Sequence, residues 1–253
     1  MRKSRFSVFN TAIYGVSTVL DNIRLFVLAS LVKVAIFVVF SLLFSIIASE
    51  FIRALWKIGP QFRFFFQCLR EYWLLAPYEK AVQCIAIWNT QIWPPILMLV
   101  AKYFIILLIF LAILLFVGIG IYLGFIRLVL TLHDTGKSSV NLLFSCFGLV
   151  QKGFLAGIIY FFIVAIGLIL LVVPGIYFGL RLIFFPYFIV DKNAGIIDSL
   201  RRSFKITEDH GWPLFGLLLL IPVISQLPGM LGLFFGTSFV ATVLSYTYRK
   251  LAA

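Results

Sequence analysis

Several apolar runs in this chain reach the roughly 20 residues needed to cross a ~30 Å hydrocarbon core, and they limit the fold before any motif is considered. The clearest cover residues 25–48, 103–127 and 154–173. Only 12% of the 253 residues are charged and 63% are hydrophobic, whereas about a quarter of the residues in a soluble domain are charged. Mean hydropathy is +1.12. The expected fold is all-α, a polytopic membrane protein forming a single domain over residues 1–253, with no room for a large soluble partner domain.

Six spans are expected, grouped as three hairpins, each preceded by an amphipathic helix lying at the membrane surface. Phe6, Phe9, Ile13, Val16 and Leu20 recur at steps of three and four and form the stripe of the first such helix. The first span covers 25–48 and is expected to be retained rather than cleaved as a signal peptide. Lys33 lies inside it, snorkelling or facing the bundle. The second span starts at residue 96 or 103 and ends at 127. Val140, Phe144, Phe147 and Val150 mark the second surface helix, after the polar loop 133–137. The third span, 154–173, is stopped by Pro174-Gly175. The fourth, 176–190, is short for a crossing. In the polar stretch 191–211, Ile197, Leu200 and Phe204 share one helical face, opposite Asp198, Arg201, Arg202 and Lys205. The fifth span covers 212–227 with a kink at Pro222, and the Pro228-Gly229 turn leads into the sixth, 230–246.

Residues 51–95 interrupt this scheme. They hold Trp56, Trp73, Trp88 and Trp93, the run Phe64-Phe65-Phe66 and several cations, with divisions at Pro60, Pro77 and Pro94-Pro95. Two readings stand: interfacial helices, or aromatics stacked on one another in a small extracytoplasmic loop domain.

A near-repeat marks the second half. Gly120-Ile-Tyr-Leu-Gly124, Gly175-Ile-Tyr-Phe-Gly179 and Gly232-Leu-Phe-Phe-Gly236 are spaced 55 and 57 residues apart. Bare glycine surfaces let helices approach closely, so these pairs are expected to mark equivalent packing seams on the second helix of each hairpin.

The +12 net charge does not form a nucleic-acid-binding face, because the cations punctuate the ends of apolar runs. With six spans, Arg2, Lys3, Arg5, Arg24, Arg127, Lys137, Lys152, Lys192, Arg201, Arg202, Lys205, Arg249 and Lys250 fall on one side. The opposite side holds only Arg53, Lys57, Arg63, Arg70 and Lys80, all in the insertion. The positive-inside rule then places both termini in the cytoplasm. Cys68 and Cys84 share that insertion and could pair if it faces an oxidising compartment; two free thiols are the favoured reading.

Residues 136–251 carry a resemblance. Leu170-Leu-Val-Val-Pro-Gly-Ile-Tyr-Phe-Gly-Leu-Arg-Leu182 is similar to a "PGIY…R" signature. Pro186, Asp191 and Ile197-Asp-Ser-Leu-Arg-Arg-Ser-Phe-Lys-Ile-Thr207 approximate its downstream pattern, with Ile197 where that pattern favours alanine. This signature belongs to YciC-like uncharacterised bacterial inner-membrane proteins, related to the membrane region of some glycerophosphoryl diester phosphodiesterases. The resemblance implies a six-span domain of the bacterial inner membrane without established chemistry; residues 51–95 fall outside it.

Chemistry is sparse. There is no nucleophile elbow, no paired-histidine metal helix and no phosphate-cradling loop, so no catalytic, cofactor or metal residues are assigned. His133-Asp134 pairs a base with an acid, but adjacent side chains rarely converge. His210 is expected to be a solvated helix cap. Arg181, inside the short fourth span, is the leading candidate contact for a lipid phosphate or anionic substrate, against a null of capping or snorkelling. Arg127 is a weaker one, and Arg201, Arg202 and Lys205 would touch anionic lipid at the surface. The expected function is that of a non-enzymatic membrane protein of the bacterial envelope, lipid-interacting or scaffolding. Its partners would be membrane lipids and other envelope membrane proteins. The alternative is a transporter or channel for a small anionic or lipid-like substrate.

Overall fold

A computed structural model describes residues 8–72, 82, 85–86, 88–208, 210–225 and 236–252. Among the described residues there is no strand. The helices are α1 (Val8–Asp21), α2 (Ile23–Tyr72), α3 (Trp93–Thr135), α4 (Val150–Leu170), α5 (Val172–Leu182), α6 (Phe185–Lys192), α7 (Ile196–Ile206), α8 (Gly211–Ser225) and α9 (Thr237–Ala252). Four stretches are long and apolar enough to cross a membrane: Ile23–Gln67, Trp88–Thr135, Val140–Leu170 and Val172–Lys192. The chain is therefore a helical membrane protein. Of the expected fifth and sixth spans, residues 212–225 fall in α8 and 237–246 in α9, neither of which is among these four; 226–235, with the Pro228-Gly229 turn, lie outside the described residues.

The chain divides into two compact units, Met1–Val34 with Phe116–Ala253, and Ala35–Leu115. In the second unit, α2 does not end near residue 48 as the apolar run suggests. It continues unbroken to Tyr72, through Pro60. A proline inside a helix removes one hydrogen bond, but apolar surroundings leave the chain no better backbone partners, and the helix persists. Pro94-Pro95 also divide nothing: a π-helical turn over Trp88–Ile92 runs directly into α3, which carries both prolines near its start. Residues 51–72 and 93–95 thus extend the helices rather than forming a separate domain, and Pro77 lies outside the described residues.

Aromatic contacts in this unit fix the pairing of α2 with the region around α3. Phe40 meets Phe110, Phe51 meets Tyr103, and Phe65 meets Trp88. The partner number falls as the α2 number climbs, which is the mark of an antiparallel pair. The insertion's aromatics do stack on one another, but from helices.

In the first unit, α1 packs through its small residues and leaves the apolar stripe outward. Its narrow face, Thr11, Ala12, Gly15 and Val19, packs inward against α9, while Phe9, Ile13, Val16 and Leu20 are exposed, Phe9 at 72%. Small residues at helix contacts with bulky apolar residues outside is the arrangement lipid favours. Gly15 enforces it, since a Cβ there would lie 2.4 Å from a Val243 methyl. Phe6 lies outside the described residues.

The expected surface helix at residues 140–150 is replaced by two short 3₁₀ turns, Val140–Phe144 and Phe147–Leu149, which lead directly into α4. The reason is visible in α3. A Cβ on Gly124 would lie 1.9 Å from the Leu143 carbonyl oxygen, and one on Gly120 would lie 2.8 Å from the Phe147 ring. The first glycine pair therefore seats the 3₁₀ segment, backbone on backbone. Gly136, in the left-handed region at φ 70°, closes α3 just before it.

The turn between the next two helices also shifts. It falls at Leu171, which is extended (φ −160°, ψ 138°), and Pro174-Gly175 lie within the first turn of α5. Proline is tolerated there because no intrahelical N–H is lost. A Cβ on Gly175 would lie 2.4 Å from Leu168, and one on Gly167 2.9 Å from the Gly175 Cα, so α4 and α5 touch at that end. A Cβ on Gly179 would meet nothing closer than 3.8 Å. Gly232 lies outside the described residues and Gly236 is buried. The glycine pairs are therefore not equivalent: Gly120 and Gly124 seat a 3₁₀ segment, whereas Gly175 meets a neighbouring helix.

Replacing Gly124 by alanine is expected to destabilise the protein by about 1–3 kcal/mol or more, because the Leu143 backbone must move. Gly118, with open space around it, is the control: its alanine variant is expected to be neutral or to gain up to ~1 kcal/mol of helix propensity. Thermal unfolding of both purified variants in detergent checks the contrast.

Candidate functional site

The site begins with a backbone problem. α5 ends at Leu182 and α6 starts at Phe185 with Pro186 in its first turn, so the Val172–Lys192 stretch is interrupted at Ile183–Phe184. Pro186 has no N–H to offer the Leu182 carbonyl, and among the described residues no backbone N–H reaches the Arg181 carbonyl across the break. Two side chains of α7 reach it instead. Ser203 Oγ donates to the Arg181 oxygen at 2.9 Å and Thr207 Oγ1 at 3.0 Å. Ser203 Oγ in turn accepts the Phe184 N–H at 3.0 Å. Both hydroxyls are fully buried.

This changes the reading of α7. Its inward face is Ser199, Leu200, Ser203 and Thr207, with Ile196 and Phe204 packed beside Leu200. Ile197, expected to share the apolar face, is exposed. Hydroxyls at positions 199, 203 and 207, spaced by four on the side away from the charges, were the available signal.

The break holds Arg181 in place. Its side chain is 9% exposed, and its Nε and Nη1 are buried with no hydrogen-bond partner. The guanidinium is packed between two rings, 4.9 Å from the centroid of Tyr177 and 5.2 Å from that of Phe204. Cation–π contact of this kind contributes about 0.5–2 kcal/mol. It leaves the N–H groups unsatisfied, and burying an unpaired charge is costly.

Arg181 lines a pocket of about 670 Å³. One wall is α5, through Val173, Ile176, Tyr177 and Leu180; the others are Thr207 and Glu208 after α7, and Gly211 to Phe215 at the start of α8. Val173 is 76% exposed and Trp212 86%, so the mouth is apolar. The positive end of the α8 dipole also opens onto this space.

The remaining candidate cations are elsewhere. Arg127 is on the exposed side of α3, among buried neighbours. Arg201 and Lys205 are exposed, and Arg202 pairs with Asp198 at 2.8 Å. Lys33 donates to Thr237 Oγ1 at 3.1 Å and lies 3.9 Å over the Phe125 ring, so it is engaged with the bundle. His210 accepts the Leu214 N–H through its carbonyl at the start of α8, while its Nδ1 is buried without a partner. Cys68 and Cys84 lie outside the residues whose side chains are described.

A second polar cluster ties three helix ends. Arg249 of α9 pairs with Asp134 at the end of α3 and with Asp191 of α6, the latter at 3.0 Å. Tyr248 Oη donates to Asp191 at 3.0 Å. Burial pushes the Tyr248 phenol above its ordinary range, and the Asp191 charge raises it further. Burial opposes the Arg249 charge, but hydrogen bonds to Asp191 and Asp134 outweigh it and hold the guanidinium above its usual value. His133 goes the other way, hydrogen-bonded at 2.7 Å to Tyr14 Oη, so His133 and Asp134 serve different partners. Arg249 Nε is likewise buried without a partner, but its guanidinium has two carboxylates against it, and among the described residues Arg181 has none.

A family model described as a domain of unknown function, DUF7847, matches residues 95–248, from α3 to the end of α9. No curated protein and no solved structure matches the chain.

Ser203→Ala or Thr207→Val alone is expected to cost about 1–3 kcal/mol, because each leaves the Arg181 carbonyl with one donor. The double variant is expected to cost more than the two together, since it leaves the carbonyl with none. Arg201→Ala, on the exposed face of the same helix, is expected to change stability by less than ~0.5 kcal/mol. Thermal unfolding in one detergent measures all four.

Proposed function

The chain belongs to the DUF7847 family, which brings no activity with it, and from the site we propose an integral membrane protein that holds a lipid-like molecule by an anionic group at Arg181. The carrying observation is the buried guanidinium, with Nε and Nη1 unpartnered beside a 670 Å³ pocket whose mouth is apolar. A structural arginine would find a carboxylate or a backbone carbonyl, as Arg249 does. An arginine aimed at a phosphate or carboxylate keeps its donors free until the ligand arrives.

The reading assigns no reaction. It places the protein in a bacterial cell membrane as a multi-pass protein with both termini in the cytoplasm, on the asymmetry of its cations. The likeness of residues 136–251 to YciC-like inner-membrane proteins supports that placement. Arg201 and Lys205, exposed on α7, would rest on anionic headgroups at the surface. A scaffolding role toward other envelope proteins is compatible with the same site.

One observation favours a second reading, transport of such a molecule. The helix break at Ile183–Phe184 immediately follows the buried cation, and interrupted helices beside a charged site are a feature of transporters.

Arg181→Met separates ligand binding from structure. The variant is expected to fold with equal or greater thermal stability, because an unpaired buried charge is replaced by an apolar chain of similar length. Its retention of phospholipid, counted by native mass spectrometry after mild detergent purification, is expected to fall at least about tenfold, as losing ~1.4 kcal/mol of charge-assisted contact implies. Unchanged bound lipid in that variant would sink the proposal. Accelerated lipid transfer between vesicles by the wild type alone would favour the transport reading.

A further inference from the structure

Arg181 is not the only ionised side chain that borders the pocket. Glu208 lines it too, just beyond the end of α7. Its side chain forms no ion pair or hydrogen bond among the described residues, and its backbone N–H is satisfied by the Lys205 carbonyl. The two opposite charges share one cavity and do not pair with each other. Thr207, also in the lining, shares its single O–H among the Arg181, Ser203 and Phe204 carbonyls. Trp212 stands beside them at the mouth, 86% exposed.

We infer that the pocket selects a zwitterionic phospholipid, with the phosphate diester on Arg181 and the ammonium group at Glu208. The inference rests on the proposed ligand role of Arg181 and adds the headgroup class. A phosphate diester is a monoanion with two free oxygens, acceptors of the kind a guanidinium binds. The start of α8, at Gly211 and Trp212, adds the positive end of a 15-residue helix on the same side. An ammonium carried on the same headgroup then meets Glu208, the one carboxylate among the described lining residues, and the Trp212 indole offers a face for cation–π contact. A purely anionic headgroup would satisfy Arg181 but leave Glu208 facing a negative group or water. The commitment to a lipid, rather than a soluble zwitterion, comes from the exposed apolar mouth formed by Val173, Ile176 and Trp212, which suits acyl chains and not water.

The test uses the full chain, purified, stripped of lipid and offered an equal mixture of phosphatidylethanolamine and phosphatidylglycerol with matched acyl chains. Bound species are counted by native mass spectrometry. The wild type is expected to take phosphatidylethanolamine in preference by about tenfold. Glu208→Gln, on an exposed turn where folding is not at risk, is expected to cut that preference roughly threefold to tenfold while total occupancy holds. Arg181→Met is expected to lose both lipids. An unaltered preference in Glu208→Gln, with occupancy still lost in Arg181→Met, would overturn the headgroup assignment and leave the Arg181 reading standing. A wild-type preference for phosphatidylglycerol would overturn it as well. Occupancy unchanged in Arg181→Met would remove both. Soluble phosphoethanolamine competing as well as the lipid would overturn the commitment to a lipid.

Discussion

The carbonyl of Arg181 decides how the second half of this protein is put together. A helix interrupted in an apolar setting strands backbone groups that water cannot satisfy, and each stranded group costs several kcal/mol in lipid. Ser203 and Thr207 reach that carbonyl from another helix at 2.9 and 3.0 Å, and Ser203 also takes the Phe184 N–H. Without them α5 and α6 would have to join into one straight helix, and the wall that carries Arg181 would turn with it. The hydroxyls therefore do two things: they make the break affordable, and they hold α7 against α5 so that Phe204 packs on the guanidinium.

Some of this was legible in the chain and some was not, for identifiable reasons. Composition and run length gave the helical membrane class, because lipid accepts few other solutions. The Gly120 and Gly124 pair is a close-packed seam, but its partner is a 3₁₀ segment; glycine spacing reports a flat surface and not what lies upon it. The stripe on α1 was found correctly and its direction was not visible, since in lipid the bulky face turns outward and the small face inward. Proline was over-read at Pro60 and Pro174. The residue breaks helices in water, yet it costs nothing in a first turn and little where no solvent competes for the backbone.

The site shows the same division. Arg181 stood out as a cation within an apolar run. That it would be unpaired could not be read from sequence, because pairing depends on which helix ends meet. Arg249 is the counterexample: an unremarkable C-terminal cation in the sequence, it proves to be the tie between Asp134 and Asp191. Arg127, the weaker candidate, lies on the exposed side of α3 among buried neighbours, a rotation that depends on which elements pack against that helix.

An unpaired buried guanidinium is a stability cost that the fold has to carry in every copy of the protein. Two aromatic rings relieve part of it, at about 0.5–2 kcal/mol, and leave the rest. Such a cost persists where a second state removes it, and a bound anion is the state that would do so here. Binding to the folded form alone stabilises by RT ln(1 + [L]/Kd), about 2.7 kcal/mol when the ligand is at a hundred times its Kd. In a membrane an abundant lipid is present at effectively saturating concentration, so the empty pocket need never be the working state. The burial that makes Arg181 expensive when alone is also what would make it selective when occupied, because low-dielectric surroundings strengthen its contact with a charged group. The cost and the proposed function are one property of the same side chain.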